Sequence, residues 1–349
     1  MKIHTIKKDI KDIWNKYVLS KKDGSIFHMF EWSYIIKAVY GHKPLFLVAV
    51  NQDNVVGILP LILIKVPIIG SKFVSIPFFD YAGILSDSPE VTTCLLNKAI
   101  RIAYKFKSKS IEIRQAYPLP LDTDNCFSKY TRKVRMVKSL INTSPESLML
   151  SFKSKLRSQI KRPLKEGIYV KIGGMELLKD FYKVFSTNMK DLGSPVHSYK
   201  LMYMIFKYFS TYSRIFVAYY KKIPISCAFT LGLKDTLENP WASSLKRYNK
   251  FSPNMFLYWK MLEYACKKGF SYFSFGRSSY GSGTYRFKKQ WGTEEIPLYW
   301  YKYSYYPSDE DKNIIDVKEK YKMFVKLWKK MPIFFANFFG PFIRKYIDL

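Results

Sequence analysis

Residues 275–292 bring Arg277, Ser278, Ser279, Gly281, Gly283, Thr284 and Lys288 into one short run. Glycines let a backbone turn tightly and approach a ligand closely, and N–H groups at a helix start attract negative charge. A planar guanidinium adds a fork suited to phosphate oxygens. The chemistry implied is a grip on a phosphorylated reactant. Two familiar phosphate loops are excluded: Gly276 and Gly281 have P-loop spacing, but Ser282 stands where that motif needs Lys, and no third glycine completes a Rossmann fingerprint after Gly283. A glycine-rich surface turn backed by a solvated basic helix is the other reading of the same residues. Tyr272, Phe273 and Phe275, after the turn residue Gly269, predict a strand. Thr284 is the expected N-cap of a helix over 285–290, closed by Trp291 and Gly292.

Other chemistries are poorly supplied. The histidines are His4, His28, His42 and His197, and none sits in a nucleophile elbow or triad motif, so a covalent intermediate is not expected. Cys94, Cys126, Cys227 and Cys266 show no C-x-x-C spacing, which argues against a zinc site or redox pair and for buried thiols in a reducing compartment. No metal site and no permanently bound cofactor is expected. Lys and Arg number 58 against 27 acids, a net charge of +31 that favours a polyanionic partner such as RNA, anionic lipid or a phosphorylated donor. Two clusters carry much of it, one over 129–138 with Arg132, Lys133 and Arg135, the other over 153–171 with Lys155, Arg157, Lys161, Arg162 and Lys165. Arg157 and Lys161 share a face of the helix that Phe152, Leu156 and Ile160 suggest. Plain solvated faces remain the alternative for both clusters.

The elements that position these residues alternate between strand and helix. At 349 residues and 48% hydrophobic content, the chain can build about two domains. Residues 45–50 and 55–64 predict a hairpin around Asn51 to Asn54, with Pro60 bending the second arm into two strands. A helical stripe over 89–106 and a strand over 110–114 follow. Residues 174–188, 199–209 and 254–267 predict helices, and 214–220 with 225–233 a hairpin turning at Lys221 and Lys222. Strand pair, helix and strand in each half give an α/β (α+β) class with two similar units. The greasy stretch 55–69 is too short and too interrupted to cross a bilayer, and the charged N-terminus lacks an apolar stretch after it, so a cytoplasmic location is expected.

Several blocks resemble the FemAB-like acyltransferases of the GNAT superfamily. These are residues 30–32, 57–61 and 77–83 in the first half, then 152–161, 188–197, 240–244, 252–254 and the glycine-rich run. The resemblance covers most of residues 27–303 and is closest to the exopolysaccharide-associated branch. It implies tandem GNAT-like domains with mixed, twisted sheets, over 1–142 and 147–306, each with two central strands that splay apart. Acyl transfer to an amine needs the reactants held in line, a proton taken from nitrogen, and the oxyanion neutralised. On that logic Arg277, Ser278, Ser279, Gly281, Gly283 and Thr284 would hold a phosphate of the donor or of the acceptor. Lys288 would steady the oxyanion or a phosphate oxygen, and Tyr285 and Phe287 would line the slot. Related cell-wall bridge enzymes have a Phe-Lys pair bordering the transfer site, matched here by Phe287 and Lys288. Arg157 and Lys161 would meet a second anionic group. Asp80, a lone carboxylate after Pro77, Phe78 and Phe79, would accept the amine's hydrogen.

The resulting expectation is an N-acyltransferase using acyl-CoA or another acyl thioester, or aminoacyl-tRNA, on an amine of a cell-envelope or sugar-linked precursor. A non-catalytic RNA-binding or membrane-surface protein that keeps the fold is the alternative. Residues 312–349 form a separate basic, amphipathic tail after the acidic stretch 307–311. In it Lys322, Lys326 and Lys329 share one helical face and Phe324, Leu327, Trp328 and Met331 the opposite one. Such a tail could lie on the inner face of an anionic cytoplasmic membrane or cap the second domain's core.

Overall fold

A computed structural model describes residues 1–5, 10–120, 127–131, 133–304 and 323–347. The acidic stretch 307–311, Lys322, Arg132 and Cys126 lie outside the described residues. Elements run in chain order through β1 (Lys2–Thr5), α1 (Lys11–Ser20), α2 (Glu31–Tyr40), β2 (Lys43–Asn51), β3 (Asn54–Val66), β4 (Gly70–Ser75), β5 (Leu85–Ser86), α3 (Pro89–Lys105), β6 (Ser110–Gln115) and β7 (Phe127–Tyr130). They continue with β8 (Lys133–Ser139), α4 (Pro145–Ser151), α5 (Ser154–Lys165), β9 (Tyr169–Gly173), α6 (Leu178–Leu192), α7 (Tyr199–Tyr208), β10 (Ser213–Tyr220), β11 (Ile223–Leu233) and β12 (Thr236–Ser244). Then come α8 (Pro253–Lys267), β13 (Tyr272–Ser279), α9 (Gly283–Lys289), β14 (Glu294–Pro297) and β15 (Tyr299–Ser304), with a C-terminal helix over Ile333–Arg344.

These elements fall into two compact units. The first takes the described residues of Met1–Val134, Ile296–Lys312 and Tyr346–Leu349, and the second those of Arg135–Glu295 and Asn313–Lys345. Their sheets are ordered β1-β2-β3-β4-β6-β15-β7, with β5 also on β3, and β14-β8-β13-β12-β11-β10-β9. Residues 299–304, which the sequence reading grouped with the second domain, form β15, paired antiparallel with β6 and β7 of the first sheet.

The hairpins form as their turns dictate. Gln52 and Asp53, and likewise Lys221 and Lys222, have positive φ, as a two-residue turn matched to strand twist requires. Pro60 does not break its strand. β3 pairs with β5 at Gly57 and Ile58 and with β4 from Leu61 onward. Pro60 falls in the gap between these partners, where a missing N–H costs the ladder little.

In the first unit α3 packs Leu95 and Ala99 against Leu47, Leu59, Leu61, Phe73 and Ile111. In the second, strand alternation turns Phe216 toward Tyr264 of α8 and Phe229 toward Phe181 of α6. Helices on both faces explain why β11 is buried almost throughout.

Candidate functional site

The central feature of the second unit is a place where two adjacent strands part. β12 and β13 pair in parallel through Thr236–Tyr272, Leu237–Phe273 and Glu238–Ser274. Beyond that, β12 runs on to Ser244 and β13 to Ser279 with no further pairing between them among the described residues. Arg135 of β8 clips the last pair: its Nε donates to Ser274 Oγ at 3.1 Å, and its guanidinium forms an ion pair with the buried Glu238 carboxylate. At the same level the register of β12 on β11 slips between Phe229 and Leu231, so that Asn239 and Pro240 both face Thr230. This bulge re-aims the strand as it leaves its neighbour.

Polar groups at the parting are buried without being satisfied by other protein groups. Neither Oδ1 nor Nδ2 of Asn239 has a hydrogen-bond partner, nor does Ser278 Oγ. Buried polar atoms are nearly always paired, so these side chains have hydrogen-bonding capacity left for a water or a reactant. The Tyr258 hydroxyl of α8, which burial pushes up to about 12, feels the Asn239 amide but closes no hydrogen bond of ordinary geometry with it.

Past the parting, the glycine-rich run turns back on itself. Gly281 has a φ of 71°, a conformation other residues adopt only under strain. The cap of α9 is Ser282 rather than the expected Thr284. Ser282 Oγ accepts from Tyr285 N at 3.2 Å, because Ser282 holds extended backbone while Gly283 already starts the helix. Lys288, on the next turn, is buried, and its Nζ donates to the carbonyls of Gly276 at 3.1 Å and Arg277 at 2.8 Å. The helix thus returns an ammonium to the end of the diverging strand. Phe287 packs on Tyr258, and Trp291, fully buried, on Phe152, Tyr258 and Phe275. Tyr285 instead joins a network in which its hydroxyl donates to Glu295 at 2.7 Å and Lys289 holds the same carboxylate at 2.5 Å. Those contacts draw the Glu295 carboxyl below its usual range.

The basic clusters of the sequence converge partly as expected. A cavity of about 310 Å³ lies beside α9, lined by Lys138, Lys153, Lys155, Gln159, Lys289 and Trp291 among others. Burial pushes the Lys138 ammonium down from its ordinary value. The face of α5 that lines the cavity carries Lys155 and Gln159. Arg157 donates to Leu150 O at 3.1 Å, and Lys161 is exposed. Asp80 belongs to the first unit, half-buried, with its carbonyl accepting from Trp300 Nε1 at 3.0 Å. His197 is a buried structural ring whose Nε2 accepts from Arg344 Nε at 3.1 Å; burial and that guanidinium hold its pKa well down. Asn239 and Glu238 are absent from the sequence-based candidates, and Arg135 appears among them only as part of a basic cluster; Pro240 is the local sign of the bulge.

Residues 151–289, which contain the parting, the clip's Glu238 and Ser274, and Lys288, match the family model described as "Acetyltransferase (GNAT) domain". That match gives the second unit a GNAT-type domain and supports an acyltransferase. The chain's fold is FemAB-like: it superposes on FemX with a TM-score of 0.68 at 17% identity, over 87% of this chain and 97% of that one. The C-terminal domain of a putative lysylphosphatidylglycerol synthetase from Agrobacterium fabrum is similar at a TM-score of 0.58 and 10% identity, covering 88% and 94%. A tandem GNAT protein from the clavulanic acid biosynthesis pathway gives 0.56 at 10%, covering 88% and 99%. No curated protein matches the chain by sequence.

Proposed function

We propose that the chain transfers an acyl or aminoacyl group from an activated donor to an amine of a cell-envelope or polysaccharide precursor, in the cytoplasm. The observation that carries this reading is the buried Lys288 ammonium, held by two carbonyls at the end of the strand that leaves β12. The amine nitrogen attacks the donor's carbonyl carbon, the C–S or C–O bond to the carrier breaks, and nitrogen gives up a proton. Lys288 meets the oxyanion as a fixed charge that needs no reorganisation. Arg277, Ser278, Ser279 and the backbone of Gly281, Gly283 and Thr284 take the donor's phosphate, and Tyr285 and Phe287 border the acyl chain. The amine's proton passes through water to the leaving sulfur or oxygen. A second anionic group, from CoA, tRNA or the acceptor's diphosphate, is assigned to α5, through Arg157 and Lys161 or through Lys153 and Lys155 at the basic cavity.

The donor is either an acyl thioester such as acyl-CoA or an aminoacyl-tRNA. The net charge suits the tRNA, whose binding would weaken steeply with salt. A gel shift with charged tRNA at two salt concentrations, run beside acyl-CoA consumption, separates the donors. In either assay Lys288→Met lowers kcat by roughly 100- to 1,000-fold, the scale of losing one oxyanion contact. Arg277→Ala raises the KM for the donor, and circular dichroism shows both variants folded. Unchanged turnover in both variants would favour a non-catalytic binder that has kept the fold.

A further inference from the structure

The C-terminal helix Ile333–Arg344 is mounted with its small residues inward. Ala336 and Gly340 are its buried positions, and it packs on α6. A Cβ on Gly340 would stand 3.1 Å from Val196 N, so glycine permits the close seat. Arg344 fixes the end of the helix through His197. The large residues are left on the outside: Phe334, Phe335, Phe338, Phe339 and Phe342 are 73%, 49%, 56%, 46% and 59% exposed. Just upstream, helical residues 323–330 repeat the pattern. Trp328 is buried while Met323 and Leu327 are each 61% exposed, so the expected apolar face is split rather than packed. Single exposed apolar residues are ordinary, but a ridge of five phenylalanines on three turns is an interaction surface.

Charge identifies what covers it. Residues 323–347 contain Lys326, Lys329, Lys330, Arg344 and Lys345 and no Asp or Glu. A second copy of this chain would bring the same cations to the same ridge, and the whole molecule carries +31. No helix among the described residues is long and apolar enough to cross a membrane. A short aromatic helix flanked by lysine lies instead in the plane of an anionic bilayer, with rings among the acyl-chain ends and ammonium groups on the phosphates. We propose that this ridge docks the protein on the surface of an anionic phospholipid membrane. The inference stands on the outward phenylalanines and does not depend on the acyl-transfer chemistry.

Flotation of the full chain with vesicles tests it, comparing phosphatidylglycerol mixed into phosphatidylcholine against phosphatidylcholine alone. The chain floats with the anionic vesicles only, and less so at high salt. Phe338→Ser with Phe342→Ser, both exposed positions, weakens binding about 10-fold or more through lost apolar insertion, with an unchanged melting curve. A Phe338→Trp variant gains a blue-shifted emission on adding anionic vesicles, relative to the parent chain. The proposal is overturned if the chain ignores anionic vesicles or if the double serine variant binds as well as the parent. It is also overturned if sedimentation shows a dimer that the serine variant abolishes.

Discussion

The two units contain the same device in two states. In the first, β4 and β6 pair in parallel through Lys72–Ser110, Phe73–Ile111 and Val74–Glu112, after which the chain leaves β4. The space beyond is filled. The following loop lies along β6, with Ala82 N donating to Arg114 O at 3.1 Å. Arg114 itself, 1% exposed, bonds Glu112 and Phe79 O and stacks its guanidinium on Trp300. Gln115 Nε2 donates to Ile84 O at 3.2 Å. Every polar group named here has a partner. In the second unit the corresponding parting of β12 and β13 leaves Asn239 and Ser278 without one and brings in the Lys288 ammonium. A satisfied parting behaves as scaffold, while one with hydrogen-bonding capacity to spare has the chemistry to hold a reactant. The difference supports placing transfer in the second unit, where the GNAT match also falls.

The clip offers the most forceful way to break this comparison. Arg135→Ala leaves the Glu238 carboxylate, with a side chain only 5% exposed, uncompensated at the last rung of the ladder. Removing one partner of a buried pair costs about 3–5 kcal/mol. Chemical denaturation should show a loss of that size. Arg135→Met with Glu238→Leu, which removes both charges, should recover most of it. If the double variant is as unstable as the single one, the pair does more than hold the strands together. If the single variant is neutral, Arg135 is not the clip.

What the sequence discloses and what it hides divide along the same line. Turns at Asn51 to Asn54 and at Lys221 and Lys222, the apolar stripe of α3 and the glycine-rich run are local patterns, and each is visible from its own residues. The parting of β12 from β13 is not local. It depends on which residues of two distant segments pair, and a bulge that opposes Asn239 and Pro240 to Thr230 leaves only a proline as its trace. Arg135 reads as one more member of a basic cluster because nothing nearby in sequence announces Glu238. The same limit applies to Pro60, whose strand is held by neighbours on either side of it, and to residues 299–304, whose partners lie in the first unit. Thr284 and Ser282 are both competent caps by residue type, and the start of α9 at Gly283 decides between them.

A smaller effect probes the filled parting. A Cβ on Gly83 would stand 2.3 Å from Gln115 Oε1 and 2.8 Å from the Arg114 carbonyl. Gln115 is held by its bond to Ile84, so Gly83→Ala must push buried backbone. Overpacking of this kind costs about 1–3 kcal/mol. The melting temperature falls, while turnover measured well below it stays at the parent value if the first unit is scaffold. Lost turnover in a folded Gly83→Ala protein would show that the first unit takes part in the reaction.

The smallest expected effect discriminates best, because its two readouts move in opposite directions. Asn239→Leu replaces a buried amide that lacks hydrogen-bond partners with an apolar side chain of similar size. If the amide is kept for a reactant, the free protein carries its desolvation cost, and the substitution stabilises by about 1 kcal/mol. Turnover then falls at the same time, since the amide held ready for the reactant is gone, a stability–activity trade-off located at one side chain. A scaffold residue would give the reverse. If Asn239 serves mainly to support the Tyr258 hydroxyl, leucine lowers stability and leaves kcat alone. The two partings would then differ in shape but not in purpose.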